Sequence, residues 1–202
     1  MNLLPLPTIA KFRSATAFCL CLFVCGVLII SPARADLNDG IDAFEREDYE
    51  TAAREMRPYA ERGITMVEYL LGALYMYGEG VPKDYEEARK WLRLAADKEL
   101  SEAQFALGYL YFEGLGVEQD YKKAEHWYRK SAEQGYVLAQ VSMGELFFDG
   151  MGVSEDIEIA AYWYSLAASQ GDVRSQYIIG LLTWGGFGGR QDQSLAYKWM
   201  IL

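Results

Sequence analysis

The residues best equipped for chemistry are few and scattered. The single histidine, His126, stands in the run Glu125-His126-Trp127-Tyr128, and the three cysteines, Cys19, Cys21 and Cys25, all lie near the start of the chain. A histidine acting as a base needs a partner to orient it and a nucleophile within hydrogen-bond reach. No G-x-S-x-G or S-x-x-K motif accompanies this one, and its place beside a recurring tryptophan puts it on the solvent side of a helix. One histidine, with cysteines confined to the leading segment, cannot assemble the usual tetrahedral zinc set. Neither a metal nor another cofactor is expected. Carboxylate pairs do occur, Glu86 with Glu87 and Asp48 with Glu50. Both stand where helices are expected to open, so solvated helix surface fits them better than a catalytic acid and base.

The glycine run Gly185-Gly186-Phe187-Gly188-Gly189-Arg190 raises another chemistry, a phosphate cradle. Such a loop follows a strand, opens a helix with free amides, and carries a Lys-Ser or Lys-Thr pair. Here the preceding residues have helical spacing, Asp192 is placed to take those amides, and Arg190 is the run's only cation. A turn is the expectation.

Residues 1–35 read as a signal peptide. Lys11 and Arg13 precede an apolar run from Ala15 to Ile30, and Ala33-Arg34-Ala35 offers an A-x-A cleavage site. The run falls short of the roughly 20 residues of a membrane span; an uncleaved anchor is the alternative. All three cysteines lie in the apolar run, so the mature chain is expected to rely on packing rather than disulfides. Bulky residues precede each cysteine, which argues against a lipid anchor. Setting aside Lys11, Arg13 and Arg34 leaves 16 basic residues against 29 acidic ones, a net charge of −13. Such a surface repels nucleic acid and anionic lipid. No nucleic-acid partner and no stable membrane insertion after cleavage are expected; basic or apolar partners fit better.

What must position any site is a repeat. At an offset of 36, Gly72, Gly108, Gly144 and Gly180 coincide, as do Leu74, Leu110, Leu146 and Leu182. The same offset aligns Gly78 with Gly114, Gly150 and Gly186, and Gly80 with Gly116, Gly152 and Gly188. It also aligns Asp84 with Asp120, Asp156 and Asp192, Ala88 with Ala124, Ala160 and Ala196, and Trp91 with Trp127, Trp163 and Trp199. The units run 67–102, 103–138, 139–174 and 175–202, the last incomplete.

Each unit has two helical halves. In the first, Ala103, Leu107, Leu110 and Tyr111 share one apolar face. A glycine inside such a helix costs about 1 kcal/mol against alanine, so its recurrence implies that another helix backbone passes close by. The second half opens at the recurring aspartate, a natural N-cap; Asp84 with Glu87 adds the pattern of a capping box. Between the halves, G-x-G-V makes a turn with Val81, Val117 or Val153 packed beneath it. Upstream, Asp48, Tyr49 and Ala52 repeat the second half in worn form, and Leu37, Ile41 and Phe44 share one face of a leading helix. Residues 36–66 are therefore expected to form a degenerate capping pair.

The pattern L-G-x-L-Y-x-x-G-x-G-V-x-x-D-Y-x-x-A-x-x-W-Y-x-x-A-A, best seen from Leu107 to Ala132, resembles the Sel-one-like repeat (SLR), a relative of the tetratricopeptide repeat. The resemblance implies an all-α fold, a right-handed α-solenoid of antiparallel helix pairs. It further implies a concave face that binds proteins or peptides, and often a periplasmic or secreted role in Gram-negative bacteria. It implies no reaction. Cysteine-rich relatives have been linked to β-lactam hydrolysis, but this chain lacks their cysteine spacing. An exported interaction scaffold or adaptor, in envelope regulation or assembly, is the leading expectation. A cell-wall or β-lactam-active hydrolase is the runner-up.

First-helix positions that the repeat does not fix are the candidate binding surface. On the face away from the shared core stand Tyr69, Ala73, Met76 and Tyr77, then Phe105, Tyr109, Phe112 and Glu113. Val141, Glu145, Phe148 and Asp149 follow, then Tyr177, Leu181, Trp184 and Gly185. From these, Tyr69, Met76, Tyr77, Phe105, Tyr109, Phe112, Glu113, Glu145, Phe148, Asp149 and Trp184 are the candidate partner-binding residues. Met76, Phe112, Phe148 and Trp184 serve equally well as seals between repeats. Rings that supply affinity beside carboxylates that supply orientation would suit a segment bearing Lys or Arg. The end at Trp199-Met200-Ile201-Leu202 suggests either truncation or an apolar surface for self-association.

Overall fold

The structure is a computed structural model and describes residues 37–187. The expected signal segment, the cysteines, Arg190, Asp192, Trp199 and the apolar chain end lie outside the described residues. Among the described residues there are nine helices and no strand. They are α1 (Leu37–Glu45), α2 (Tyr49–Glu61), α3 (Thr65–Tyr77), α4 (Tyr85–Asp97), α5 (Ser101–Glu113), α6 (Tyr121–Glu133), α7 (Val137–Asp149), α8 (Ile157–Ser169) and α9 (Val173–Gly185). Each packs on its neighbour in sequence, which makes an all-α solenoid.

The helix starts follow the aspartate column. Asp84 accepts from the amides of Glu86 and Glu87 at 2.9 and 3.1 Å, Asp120 from Lys123 at 3.0 Å and Asp156 from Ile159 at 2.9 Å. The expected capping box is only half made. The Asp84 amide donates to the Tyr75 carbonyl at 3.0 Å, while the Glu87 carboxylate accepts from the Trp91 indole at 3.1 Å. Glu87 is thus shared between the Trp91 indole and the Lys90 ammonium, each at 3.1 Å.

The mid-helix glycines face side chains more than backbone, which corrects the expectation above. A Cβ on Gly108 would lie 2.6 Å from the Tyr128 ring, and one on Gly144 would lie 2.7 Å from Tyr164. On Gly72 it would meet the Leu92 side chain at 2.8 Å, with the Leu92 nitrogen at 3.1 Å. The residues that follow Trp91, Trp127 and Trp163, namely Leu92, Tyr128 and Tyr164, therefore each pack closely against a mid-helix glycine. The second turn glycine joins successive units: Gly80 has φ +67°, and a Cβ there would stand 2.1 Å from the Tyr49 carbonyl carbon. Gly116 meets Tyr85 and Gly152 meets Tyr121 in the same way.

Helices α1 and α2 form a pair of the same kind with a shorter turn. Gly40 faces Met56, whose place answers to Leu92, and Phe44 is buried edge-on to Tyr49. Leu37 and Ile41 pack partly buried against the same cluster.

Buried amides bridge the units. Gln104 Nε2 donates to the Ala96 carbonyl, and its Oε1 accepts from Gln134 Nε2 at 2.8 Å. Gln140 repeats this with the Ala132 carbonyl and Gln170. In the first full unit the rung is ionic: Lys98 Nζ lies 2.7 Å from Glu68, which is only 2% exposed. Trp91, Trp127 and Trp163 fill the space beside these rungs and are at most 5% exposed.

Candidate functional site

The first helices carry the candidate strip, and the framework just described holds it in register. Tyr69 and Tyr77 of α3, Tyr109 of α5 and Tyr136 at the start of α7 are partly buried, and their phenols influence one another. Burial pushes the Tyr136 phenol up to about 12 and those of Tyr69, Tyr77 and Tyr109 upward too, with Glu102 adding to the shift at Tyr69 and Tyr136. All four stay neutral across physiological pH and offer hydroxyl donors on rings whose faces attract cations. Phe105 stacks at 5.3 Å on both Tyr128 and Tyr136, and Phe112 stands 5.3 Å from Tyr121, so the aromatic layer continues into the core.

Two expected contact residues belong to that core. Met76 is 2% exposed and Phe105 is 5% exposed, each closed over by the following unit. They seal repeats and offer almost no surface to a guest. Phe112 is half-buried, whereas Phe148 and Trp184 at the equivalent position are 41% and 42% exposed. The same position thus moves from core to surface along the solenoid.

The carboxylates divide in two. Glu145 is held by Arg174 at 2.7 Å, a cation from the first turn of α9 that the sequence pattern does not flag. Burial holds the Glu145 carboxyl above the ordinary range, with Arg174 pulling it back down. Glu113 and Asp149, at one repeat position, have no ion-pair partner among the described residues. Tyr136 and Glu102 join the strip although neither was singled out. Both stand at helix starts, where a face count over the helix body does not reach.

The residues with catalytic potential do not converge. His126 is exposed, edge-on to Trp127 at 5.2 Å, and Asp48 caps α2 through the Thr51 amide. Among the described residues no group of three His, Cys, Asp or Glu side chains could hold a metal ion, and no helix is long and apolar enough to cross a membrane. Gly186 closes α9 with φ +73°, the part played by Gly78, Gly114 and Gly150 in earlier units.

Helix pairs stacked in sequence order define the class of the all-α repeat solenoid. The chain matches the family model of the Sel1 repeat at residues 66–100, 101–136, 137–172 and 173–202. It belongs to the Sel1 repeat family, whose members are generally protein-interaction scaffolds and typically non-catalytic. Among curated proteins none matches this sequence significantly. Among solved structures, a Sel1 repeat protein from Oxalobacter formigenes is 34% identical, with a TM-score of 0.77 over 82% of this chain and 68% of that one. A protective antigen of uropathogenic Escherichia coli strains, displaying an SLR fold, is 38% identical, with a TM-score of 0.76 over 82% of this chain. This chain spans 37% of that antigen's length.

Proposed function

We propose that the protein is an exported interaction scaffold whose concave strip docks a segment of another protein carrying Lys or Arg. The observation that carries this reading is that Glu113 and Asp149, at one repeat position and without an ion-pair partner among the described residues, each stand near a neutral tyrosine, Glu113 near Tyr109 and Asp149 near Tyr164. Aromatic faces and carboxylates attract a basic side chain together, the rings through their quadrupole and the carboxylates through charge. The acidic balance of the chain, 29 acidic against 19 basic residues, favours the same partners. Export rests on the leading segment with its Ala33-Arg34-Ala35 site, and kinship with a protective antigen supports a place outside the cytoplasm.

The test replaces Tyr109, Glu113 and Asp149 together with Ala, Gln and Asn. Crosslinking capture of a partner from periplasmic extract should be lost while helical circular dichroism stays unchanged. Undiminished capture by the triple variant sinks the assignment of the strip.

A further inference from the structure

One junction between first helices recurs along the solenoid with different chemistry each time. Between α7 and α9 it joins Arg174, the second residue of α9, to Glu145 at 2.7 Å. The same two places hold Leu138 and Tyr109 between α5 and α7, and Glu102 and Ala73 between α3 and α5. Ala73 is the smallest residue on its side of the junction, and at 2% exposed it is covered by its surroundings. The repeat register thus sets a carboxylate over α3 between Tyr69 and Tyr77, which lie one turn to either side of Ala73.

The rings at this junction come from two helices and the start of a third. Tyr69 and Tyr77 pack against the apolar cluster shared by α3, α4 and α5. Tyr136, at the start of α7, stacks on Phe105 of α5 at 5.3 Å, and its phenol lies within electrostatic reach of those of Tyr69 and Tyr77. Glu102 acts on the phenols of Tyr69 and Tyr136. All four groups are half-buried. Glu102 has no ion-pair partner among the described residues, and its Oε2 accepts from Ser101 Oγ at 2.9 Å.

We infer that Tyr69, Tyr77, Tyr136 and Glu102 form a site for a primary ammonium, the end of a lysine side chain on the docked protein segment. This rests on the docking reading above and adds which cation is read and where. Ring faces attract the cation, Glu102 Oε1 takes one of its three rotatable donors, and phenol oxygens accept the others. A guanidinium fits worse. Its planar fork pairs with both oxygens of a carboxylate, and Ser101 already engages one of the two. Ser101 is therefore the specificity-determining residue.

The experiment is an NMR titration of the isotope-labelled full chain with Nα-acetyl-lysine N-methylamide, read at the backbone amides of Glu102 and Tyr136. The arginine and norleucine derivatives are the controls, the second an uncharged analogue of the lysine stem. The lysine probe should saturate with an affinity about five-fold above that of the arginine probe, and the norleucine probe should shift neither amide. Glu102→Gln should weaken the lysine probe about ten-fold and Tyr77→Leu about three-fold, with helical circular dichroism unchanged in both. Ser101→Ala should close the gap between arginine and lysine. The inference is overturned if the lysine probe gives no saturable shift, if the parent binds the arginine probe as tightly, or if Glu102→Gln binds lysine as the parent does. A Ser101→Ala chain with the gap intact overturns the stated origin of the selectivity. The capture experiment changes none of these groups, so the two readings fail separately: capture lost in the triple variant, with lysine shifts centred on Glu113 and Asp149 instead, keeps docking on the strip and removes this site.

Discussion

Lys98 Nζ lies 2.7 and 2.8 Å from the two carboxylate oxygens of Glu68, in the place where Gln134 Nε2 donates to Gln104 Oε1 at 2.8 Å one unit later. The same rung of the solenoid is ionic in one repeat and a neutral amide pair in the next two. The ammonium also donates to the Gly63 carbonyl at 2.8 Å, as Gln170 does to that of Gly135 at 3.1 Å. The geometry is kept while the chemistry changes, so the two solutions should be exchangeable.

The exchange makes a direct prediction. Glu68 is buried and Lys98 half open, so Lys98→Ala leaves a desolvated carboxylate and should destabilise by about 2 kcal/mol, below the cost of breaking a fully buried pair. The double change Glu68→Gln with Lys98→Gln recreates the later rung and should stay within about 1 kcal/mol of the parent. Urea denaturation of the singles and the double, analysed as a cycle, measures the coupling. A double variant as unstable as Lys98→Ala contradicts the equivalence of the rungs.

Glu99 adopts φ +65° at the place where Gly63, Gly135 and Gly171 stand in the other units. A side chain in that left-handed region costs about 1–2 kcal/mol, part of which a glycine returns through the greater freedom of the unfolded chain. Glu99→Gly should therefore raise stability by roughly 0.5–1 kcal/mol. Gly80→Ala should act in the opposite direction and by more, because its Cβ would press on the Tyr49 backbone. Thermal denaturation of the two variants checks both signs.

Ser175 is fully buried and its hydroxyl finds no hydrogen-bond partner among the described residues, whereas Ala103 and Ala139 hold the same position earlier. Ser175→Ala removes an unsatisfied group without leaving a large void. It should stabilise the protein by about 1 kcal/mol, read from the denaturation midpoint at unchanged slope.

Glu145 gives a pH signature. Burial raises its folded-state pKa above the ordinary value, and Arg174 only partly offsets the rise. The folded chain then keeps this proton to higher pH than the unfolded chain does. The group's contribution to stability is full below the ordinary carboxylate pKa and is lost as pH rises through the raised folded value. Glu145→Gln should remove that loss, so stability between about pH 4 and 7 falls less steeply in the variant than in the parent. Identical slopes contradict the shift. Asp120 has the opposite sign: the Lys123 amide lowers its pKa, and its contribution is lost as pH falls.

The period of 36 made most of the fold legible, because the columns that define it are those with no steric alternative: the turn glycines, the capping aspartates and the tryptophans. What escaped did so for physical reasons. Gly40 plays the part of Gly72, but the turn after α1 is shorter, which moves it off a fixed offset. The rung of Gln104 and Gln140 recurs, yet its first member is Glu68, and an ion pair in place of an amide pair hides the column. On the proposed strip, face periodicity singles out Glu113, Asp149 and the rings as candidates. It could not separate Met76 and Phe105, which the next unit covers, from Phe148, which is 41% exposed. The Arg174 contact with Glu145 joins two non-recurring positions, so no pattern announces it.

The central claim is that the inner face of the first helices, and not the outer face of the second, meets the partner. A photo-crosslinking amino acid placed at Phe148 on the strip and, separately, at Tyr162 on α8 tests it most directly, since both positions are exposed, 41% and 56%. In periplasmic extract the Phe148 position should give a discrete adduct that disappears in the Glu113→Lys background, and the Tyr162 position should give none. Adducts from Tyr162 alone, or a Phe148 adduct indifferent to Glu113→Lys, contradict the account.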